Sequence, residues 1–586
     1  MDVQTAADRV RGGSFLVAPA WPEDIFTPEE LSDDQRLVQQ TVQQFVDDEV
    51  LPRTQELERH DWALTRALLR RCADLGILGA DIPEEYGGAG LDRLTSLTIK
   101  EALGAATSFG VSIGTHTGIG TLPIVFFGTE AQKRTYLPRL AAAEWVGAYA
   151  LTEPTAGSDA MAIRTRATRT ADGTHYILNG QKQFISNASF ADLFITFAKL
   201  DGEHHTCFIV ERTTPGVSVG PEEHKMGIKG SSTAGVLLDN VRVPAENLLG
   251  EIGQGHKIAF NILNVGRFAL GAGALGEAKY ALRDAAAYAA ERRQFGRPIA
   301  EFGLIQQKLA RMATLIFVTE SMVYRTGGLV SRALGAERHD GAQVMTALEE
   351  YAVECSINKV FATEALAAVV DDMVQIFGGY GFVEEYPAAR RYRDARISRI
   401  YEGTNEINRL VIPSMLLRRA QRGRLDLLGA ARRVAADVLS TTAGGDSTTA
   451  GASDPLADER RLVDAARRAT LFAAGAAVEK YATDLDKQQE ILGWIADLAI
   501  DVFAMESAVL RAAKTGGDLH AAMARLFLDE ALPRIETTAR RILAATDEGD
   551  ALRTLLAGLR RFLKVPAVNT AALSRRIAAA APSGRR

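Results

Sequence analysis

Apolar residues recur at helical spacing from about residue 31 to 148, and the first clear segment, LSDDQRLVQQTVQQFVDDEVLP, opens with Ser32 as its predicted N-cap. Proline and glycine then punctuate the pattern, as in DIPEEYGGAGLD. Between about 149 and 250 the texture changes. HYILNGQKQFIS, LFITFAKL, TCFIVER and GVLLDNVRVP are short runs rich in β-branched and aromatic residues and bounded by turn formers, which predicts a small β domain. Helical spacing returns from about 251 to 420, in FGLIQQKLARMATLIFVTESMVYRTGGLV and ECSINKVFATEALAAVVDDMVQIF. STTAGGDSTTAGASD is too poor in apolar residues to pack and is predicted to be a flexible linker. The pattern therefore predicts a mostly α chain with a small central β domain. Its divisions are an N-terminal arm (1–30), a helical domain (31–148), the β domain (149–250), a second helical domain (251–420), a helix and linker (421–454) and an extra C-terminal helical domain (455–586).

Composition adds limits. With 586 residues, 47% hydrophobic and 24% charged, the chain can bury several cores. A formal net charge of -6 gives no global pull toward nucleic acid or anionic membrane. Cys72, Cys207 and Cys355 are too scattered for a disulfide framework, a zinc site or an iron–sulfur cluster, so no metal is expected and the setting is read as reduced and cytoplasmic. The opening MDVQTAADRVRGGSFL lacks a secretory pattern, and no segment is expected to span a membrane.

Several short stretches carry candidate chemistry. GAGALG, residues 271–276, matches a dinucleotide-binding fingerprint but sits between two helical patterns, so its small residues are read as a close helix contact. YALTEPTAGSDA (149–160) and NGQKQFISNASFADLF (179–194) combine freed backbone donors with the hydroxyls of Thr152, Ser158 and Ser186 and the flat face of Phe184, a set suited to an isoalloxazine ring. In ERRQFGRP, Arg292 offers a fork of donors to a pyrophosphate, and in QIFGGYGF the paired glycines permit close backbone approach, though a solvated helix end and a helix C-cap explain them equally. YEGTNE places Glu402 between Tyr401 and Gly403; alone, it reads as a helix-end acid stabilised by the dipole.

Taken together and in order, these motifs resemble the acyl-CoA dehydrogenase family over about residues 30–420. The tail beyond 420, with KMGIKGSSTAGVLLDNVRVPAENLLGE and ILNVGRF, is most similar to the very-long-chain enzymes. The resemblance implies an N-terminal helical domain, a middle β-barrel-like domain and a C-terminal four-helix bundle, with FAD between sheet and helices. It implies that Leu151, Thr152, Ser158, Phe184 and Ser186 contact the flavin, with Phe184 standing where many relatives have Trp. Arg292, Gln294, Phe295, Gln375, Gly378 and Gly379 match positions that hold the pyrophosphate and adenosine across a subunit interface, implying a homodimer. Thr404, Asn405 and Glu406 match positions reaching the adenine part, although Gln often replaces Glu406. Glu402 resembles the catalytic base that removes the α-proton of an acyl thioester as the β-hydride is lost to the flavin. Burial would raise its pKa toward what that proton demands, and Gly403 leaves room beside a backbone donor for the thioester oxygen. Gly266 occupies the place where some relatives carry the base instead; Arg267 follows it as a substrate-side cation and Tyr401 as an apolar wall.

In SFGVSIGTHTGIGTLP, Gly110 and Gly114 leave space where medium-chain relatives close the acyl cavity, so an acyl-CoA of C12 or longer is the expected substrate, in fatty acid β-oxidation; tight helix packing is the competing explanation, and His116 is read as structural. Electrons must leave the chain, by resemblance to electron-transfer flavoprotein, or to oxygen if it is an oxidase. A third reading is a catalytically weak flavoprotein that binds DNA or membrane through its tail. Residues 551–586 hold eight Lys or Arg and no Asp or Glu, beginning with the amphipathic ALRTLLAGLRRFLKV, whereas 421–550 carry 16 basic against 21 acidic side chains. Peripheral membrane contact is expected from this end, and nucleic acid binding is disfavoured.

Overall fold

The computed structural model describes residues 10–335, 341–439 and 456–580. The first helical layer contains α1 (Asp33–Phe45), α2 (Thr54–Glu58), α3 (Trp62–Asp74), α4 (Arg93–Gly104), α5 (Thr107–Gly114), α6 (Leu122–Phe127) and α7 (Glu130–Ala141). Ser32 caps α1 as predicted: its hydroxyl accepts from Gln35 N at 3.2 Å, and the Gln35 side chain accepts from Ser32 N at 3.0 Å.

An eight-stranded sheet follows: β1 (Gly147–Ala150), β2 (Arg166–Arg169), β3 (His175–Ser186), β4 (Leu193–Leu200), β5 (His204–Glu211), β6 (Val217–Glu222), β7 (Thr233–Pro244) and β8 (Leu248–Leu249). Its order is β6-β7-β3-β2-β4-β5-β8, with β1 paired to β4. The β3–β7 ladder breaks register between Lys182 and Ile185, and this bulge carries Phe184 at φ +57°.

The second helical layer is α8 (Gly255–Glu291), α9 (Gly303–Leu334), α10 (Gly341–Glu350), α11 (Ala352–Phe377), α12 (Pro387–Arg396) and α13 (Asn405–Gln421). GAGALG lies inside α8, where a Cβ on Gly276 would stand 1.8 Å from the Glu101 carbonyl oxygen; helix packing and not a nucleotide requires that glycine. Between α8 and α9, β9 (Arg293–Gln294) and β10 (Arg297–Pro298) form a tight hairpin in which Phe295 and Gly296 both have positive φ. The basic ERRQFGRP stretch is thus a hairpin tip and not a plain helix end.

The tail comprises α14 (Leu427–Leu439), α15 (Ala457–Tyr481), α16 (Gln489–Thr515), α17 (Asp518–Thr546), α18 (Gly549–Phe562) and α19 (Thr570–Ala580). The predicted linker at 440–454 lies outside the described residues. The tail has no core of its own. Phe472, Phe503 and Phe527 share one cluster with Val318 of α9, Ile357 of α11 and Ile412 of α13. The arm joins the same core: Phe15 meets Phe503 edge-on at 5.0 Å, Gly13 N donates to Glu354 at 2.7 Å and Ala20 N to Glu506 at 3.1 Å.

Two expectations change here. The stretches Thr107–Phe127 and Gly255–Glu291 are long and apolar enough to cross a bilayer, contrary to the sequence reading, but 61% and 56% of their apolar windows are buried inside the fold. Leu552, Leu555, Leu556 and Leu559, the apolar stripe of amphipathic α18, pack against the core that tail and body share, so that stripe gives membrane contact no support.

Candidate active site

Sheet and helices meet around a cavity of about 1820 Å³. Leu151, Thr152, Ser158, Phe184, Ser186, Gly110, Gly114, Arg267, Tyr401, Glu402, Gly403 and Thr404 all line it. The fold brings them from the β1 end, the β3 bulge, α5, α8 and the loop before α13.

Glu402 is held in a strained turn. Its φ is +56° and that of Gly403 is +77°, a pair of left-handed residues that a non-glycine side chain adopts only when its surroundings compel it. The compulsion comes from behind. Asn408 Nδ2 donates to the carbonyls of Gly403 at 2.9 Å and Thr404 at 3.0 Å, Lys359 Nζ donates to Gly403 O at 2.8 Å, and Arg267 Nε reaches Glu402 O at 3.4 Å. With its carbonyls tied back, the turn projects the carboxylate into the cavity. Oε2 is buried and has no hydrogen-bond partner.

Gly266 explains why the carboxylate fits. A Cβ there would lie 2.6 Å from Glu402 Oε2 and 2.7 Å from Cδ, so residue 266 and the Glu402 carboxylate cannot both fill this space. Burial raises the Glu402 pKa to about 7, and the cations of Arg267 and Lys359 oppose that rise. Lys359 is itself driven down to about 8 by burial, with Glu402 favouring its charge. Arg267 spends its other donor on Asn264 Oδ1 at 2.9 Å, so it positions and polarises the turn.

The two polar loops are joined underneath. Glu153 is buried and accepts from Lys182 Nζ at 2.7 Å and Thr165 N at 3.0 Å, while Lys182 also donates to Leu151 O at 3.2 Å. One buried ion pair therefore ties LTEP to QKQF and fixes the rim that carries Thr152 and Phe184. Tyr149, whose hydroxyl is buried and unpartnered, lines the same space.

Other predicted residues lie elsewhere. Asn405 is buried and its amide is spent on Lys359 at 2.7 Å, Thr363 at 3.1 Å and Glu364 at 3.0 Å; it braces the turn and does not line the cavity. Thr404 caps α13 by accepting from Ile407 N at 3.2 Å, and Glu406 sits exposed in that first turn. Gly110 is a contact glycine, since a Cβ would stand 2.9 Å from Leu103 O, whereas Gly114 has open space beside it. His116 is structural, bonded to Leu140 O at 3.0 Å and Gly147 N at 3.1 Å. Arg292, Gln294, Phe295, Gln375, Gly378 and Gly379 are exposed and do not line this cavity. Arg292 lies over the Tyr380 ring at 5.5 Å, beside the glycine pair.

Sequence reasoning missed Lys359, Asn408, Asn264, Tyr149 and the Glu153–Lys182 pair. The available signal was a lone lysine inside the apolar run ECSINKVF and another inside NGQKQF; both are wholly buried. The residues present fit FAD with a second occupant: the cavity exceeds the roughly 300–1,000 Å³ of a site for one small ligand, and hydroxyls, an aromatic face and an unpartnered Tyr149 hydroxyl stand at its rim.

Comparison with known proteins bears on the same regions. The descriptions "Acyl-CoA dehydrogenase, N-terminal domain", "middle domain" and "C-terminal domain" match residues 32–144, 148–241 and 253–417, and a second C-terminal domain description matches 465–561. A "Probable acyl-CoA dehydrogenase" of Bacillus subtilis (strain 168) is 46% identical over 585 residues, covering 98% of each chain. The mitochondrial very long-chain specific acyl-CoA dehydrogenase of Bos taurus is 38% identical over 508 residues, 81% of this chain and 75% of that one. A crystal structure of an acyl-CoA dehydrogenase complexed with FAD from Bacillus anthracis superposes with a TM-score of 0.93 at 48% identity, covering 97% of this chain and 98% of that one. The chain belongs to the acyl-CoA dehydrogenase family of FAD-dependent oxidoreductases.

Proposed function

We propose that this enzyme oxidises long-chain acyl-CoA thioesters, C12 or longer, to trans-2-enoyl-CoA in fatty acid β-oxidation, with Glu402 as the base. The observation that carries this is the Glu402 carboxylate itself, buried, unpartnered on one oxygen and projected into the cavity by a strained turn. A base with a pKa near 7 is half ionised at neutral pH and better matched to a thioester α-proton than an ordinary glutamate. Arg267 and Lys359 keep it from becoming permanently protonated. The strained Glu402–Gly403 turn holds the carboxylate toward the cavity, within reach of a thioester bound there. FAD, when bound, supplies the acceptor for the β-hydride. Leu151, Thr152, Ser158, Phe184 and Ser186 are suited to hold its ring.

The open space beside Gly114 supports the long-chain reading. A homodimer is supported by a surface where Phe295, Phe382 and Leu304 are 93%, 84% and 77% exposed near Arg292. There a second copy would bring Arg292, Gln294, Gln375 and the Gly378–Gly379 pair to its partner's cofactor. Electron-transfer flavoprotein is the proposed acceptor and the cytoplasm the proposed setting. The test is anaerobic mixing of the holoenzyme, and of Glu402→Gln, with palmitoyl-CoA and hexanoyl-CoA while following flavin absorbance. Palmitoyl-CoA should bleach the wild type quickly and the variant at least about a thousandfold more slowly. Bleaching of both proteins at similar rates removes Glu402 from the role, and equal or faster reaction of hexanoyl-CoA removes the long-chain assignment.

A further inference from the structure

Along one face of α8, Gly266, Leu270, Gly273 and Glu277 follow one another at helical spacing, and all four line the cavity. The first abuts the Glu402 carboxylate. Eleven residues on, Glu277 stands about 16 Å further along the helix axis on the same face. The stripe is apolar or small until it ends in an acid. Helices α4 and α5 supply further wall through Leu103, Thr107, Val111 and Gly114, while Gly104 of α4 packs directly on Gly273, where a Cβ would stand 2.0 Å from the Gly273 carbonyl oxygen.

Glu277 has no structural task that accounts for it. Its Oε1 is buried without a hydrogen-bond partner. The cations that act on it, Arg391 and Arg390, do not hydrogen-bond it: Arg391 Nη2 donates to Asp284 at 3.3 Å, while Arg391 Nε and Nη1 and Arg390 Nε are themselves buried and bare. Asp394, which also lines this end, bonds Ile228 N through one oxygen and leaves Oδ2 buried and bare. Midway along the wall, the Thr107 hydroxyl is likewise buried and unpartnered, on a residue strained to φ +52°. Bare polar atoms along an apolar channel cost stability unless something satisfies them.

We propose that Glu277 is a recognition point for the distal part of the acyl chain, selecting acyl-CoA substrates that carry a neutral hydroxyl or keto oxygen roughly a dozen carbon–carbon bonds beyond the thioester α-carbon. The inference rests on the acyl-CoA dehydrogenase reading of this cavity. Burial lifts the Glu277 pKa to about 8 against the cations of Arg391 and Arg390, with Asp394 adding to the rise, so at neutral pH the carboxylic acid form, which both donates and accepts, predominates. That neutral pair of roles matches a hydroxyl or ketone; an anionic chain end would meet Asp394.

The experiment compares kcat/KM for palmitoyl-CoA with its hydroxy, keto and terminal-amino counterparts substituted near the chain end, using holoenzyme of wild type, Glu277→Leu and Glu277→Gln. Flavin content reports that each variant is folded. The ratio of oxygenated to plain chain should fall roughly tenfold in Glu277→Leu, the worth of one hydrogen bond in a dry site, and recover in large part in Glu277→Gln. A ratio that does not change with residue 277 overturns the inference and means that water alone satisfies these atoms. Preference for a terminal ammonium overturns the neutral assignment. Turnover of plain chains with an unchanged ratio leaves the dehydrogenase reading standing, whereas turnover of neither series defeats both.

Discussion

At the scale of single residues, the site depends on what surrounds one carboxylate. Lys359 donates to the Gly403 carbonyl and favours the charged form of Glu402. Lys359→Met removes a cation that lowers the Glu402 pKa. Because the base acts when ionised, the rising limb of kcat/KM against pH, expected near 7, should move upward in the variant. A pH profile of flavin reduction measures it, and a limb that stays in place or moves down refutes the coupling. Gly266 has the opposite character. Alanine in a helix interior ordinarily stabilises by about 0.5–1 kcal/mol over glycine, but here the new Cβ would stand 2.6 Å from Glu402 Oε2. Gly266→Ala should keep or raise the melting temperature while lowering kcat by roughly a hundredfold, since small displacements of a reacting group carry costs of that size.

At the scale of elements, the tail is bound to the body by a charge cluster as well as by apolar packing. Glu506 on α16 is 3% exposed and accepts from Arg325 of α9 at 2.7 Å, Arg467 of α15 at 2.6 Å and Ala20 N of the arm at 3.1 Å. Four segments thus converge on one carboxylate. Glu506→Gln leaves the buried Arg325 guanidinium without its counter-ion and Arg467 with Asp464 alone, at 2.8 Å, and should destabilise by about 3–5 kcal/mol. Denaturant unfolding of the holoenzyme measures it, and a loss below about 1 kcal/mol, the worth of a surface pair, would mean that the cluster is dispensable. The elements themselves were largely legible. The runs rich in β-branched and aromatic residues became β3 and β4 over the residues that showed them, and the Ser32 cap formed with Gln35, because both signals are local. The β9–β10 hairpin was not, since its turn is set by the positive φ of Phe295, a residue whose type gives no warning of it.

At the scale of the whole molecule, exposed Phe295, Phe382 and Leu304 are the groups a second copy would cover. Phe382→Asp, placing a charge within that surface, should shift the protein toward monomer in sedimentation and lower its FAD content; an unchanged dimer would move the interface elsewhere. Part of the site was readable in the chain before any fold was known: the order of helix, sheet and helix and the two rim loops, whereas Glu402 alone read as a helix-end acid and stood out only through the family resemblance. The order and the loops depend on spacing and on local backbone freedom, which a linear pattern records. What only the tertiary structure decided was which polar groups share the dry space. Gly266 and Glu402 lie 136 positions apart, Lys359 reaches the turn from α11, Glu153 finds Lys182 across two loops, and Glu277 ends an apolar stripe with a bare oxygen. Burial and Coulomb interaction depend on distance through space, so the tuning of the carboxylate and the merging of tail with body appear only once the chain has packed.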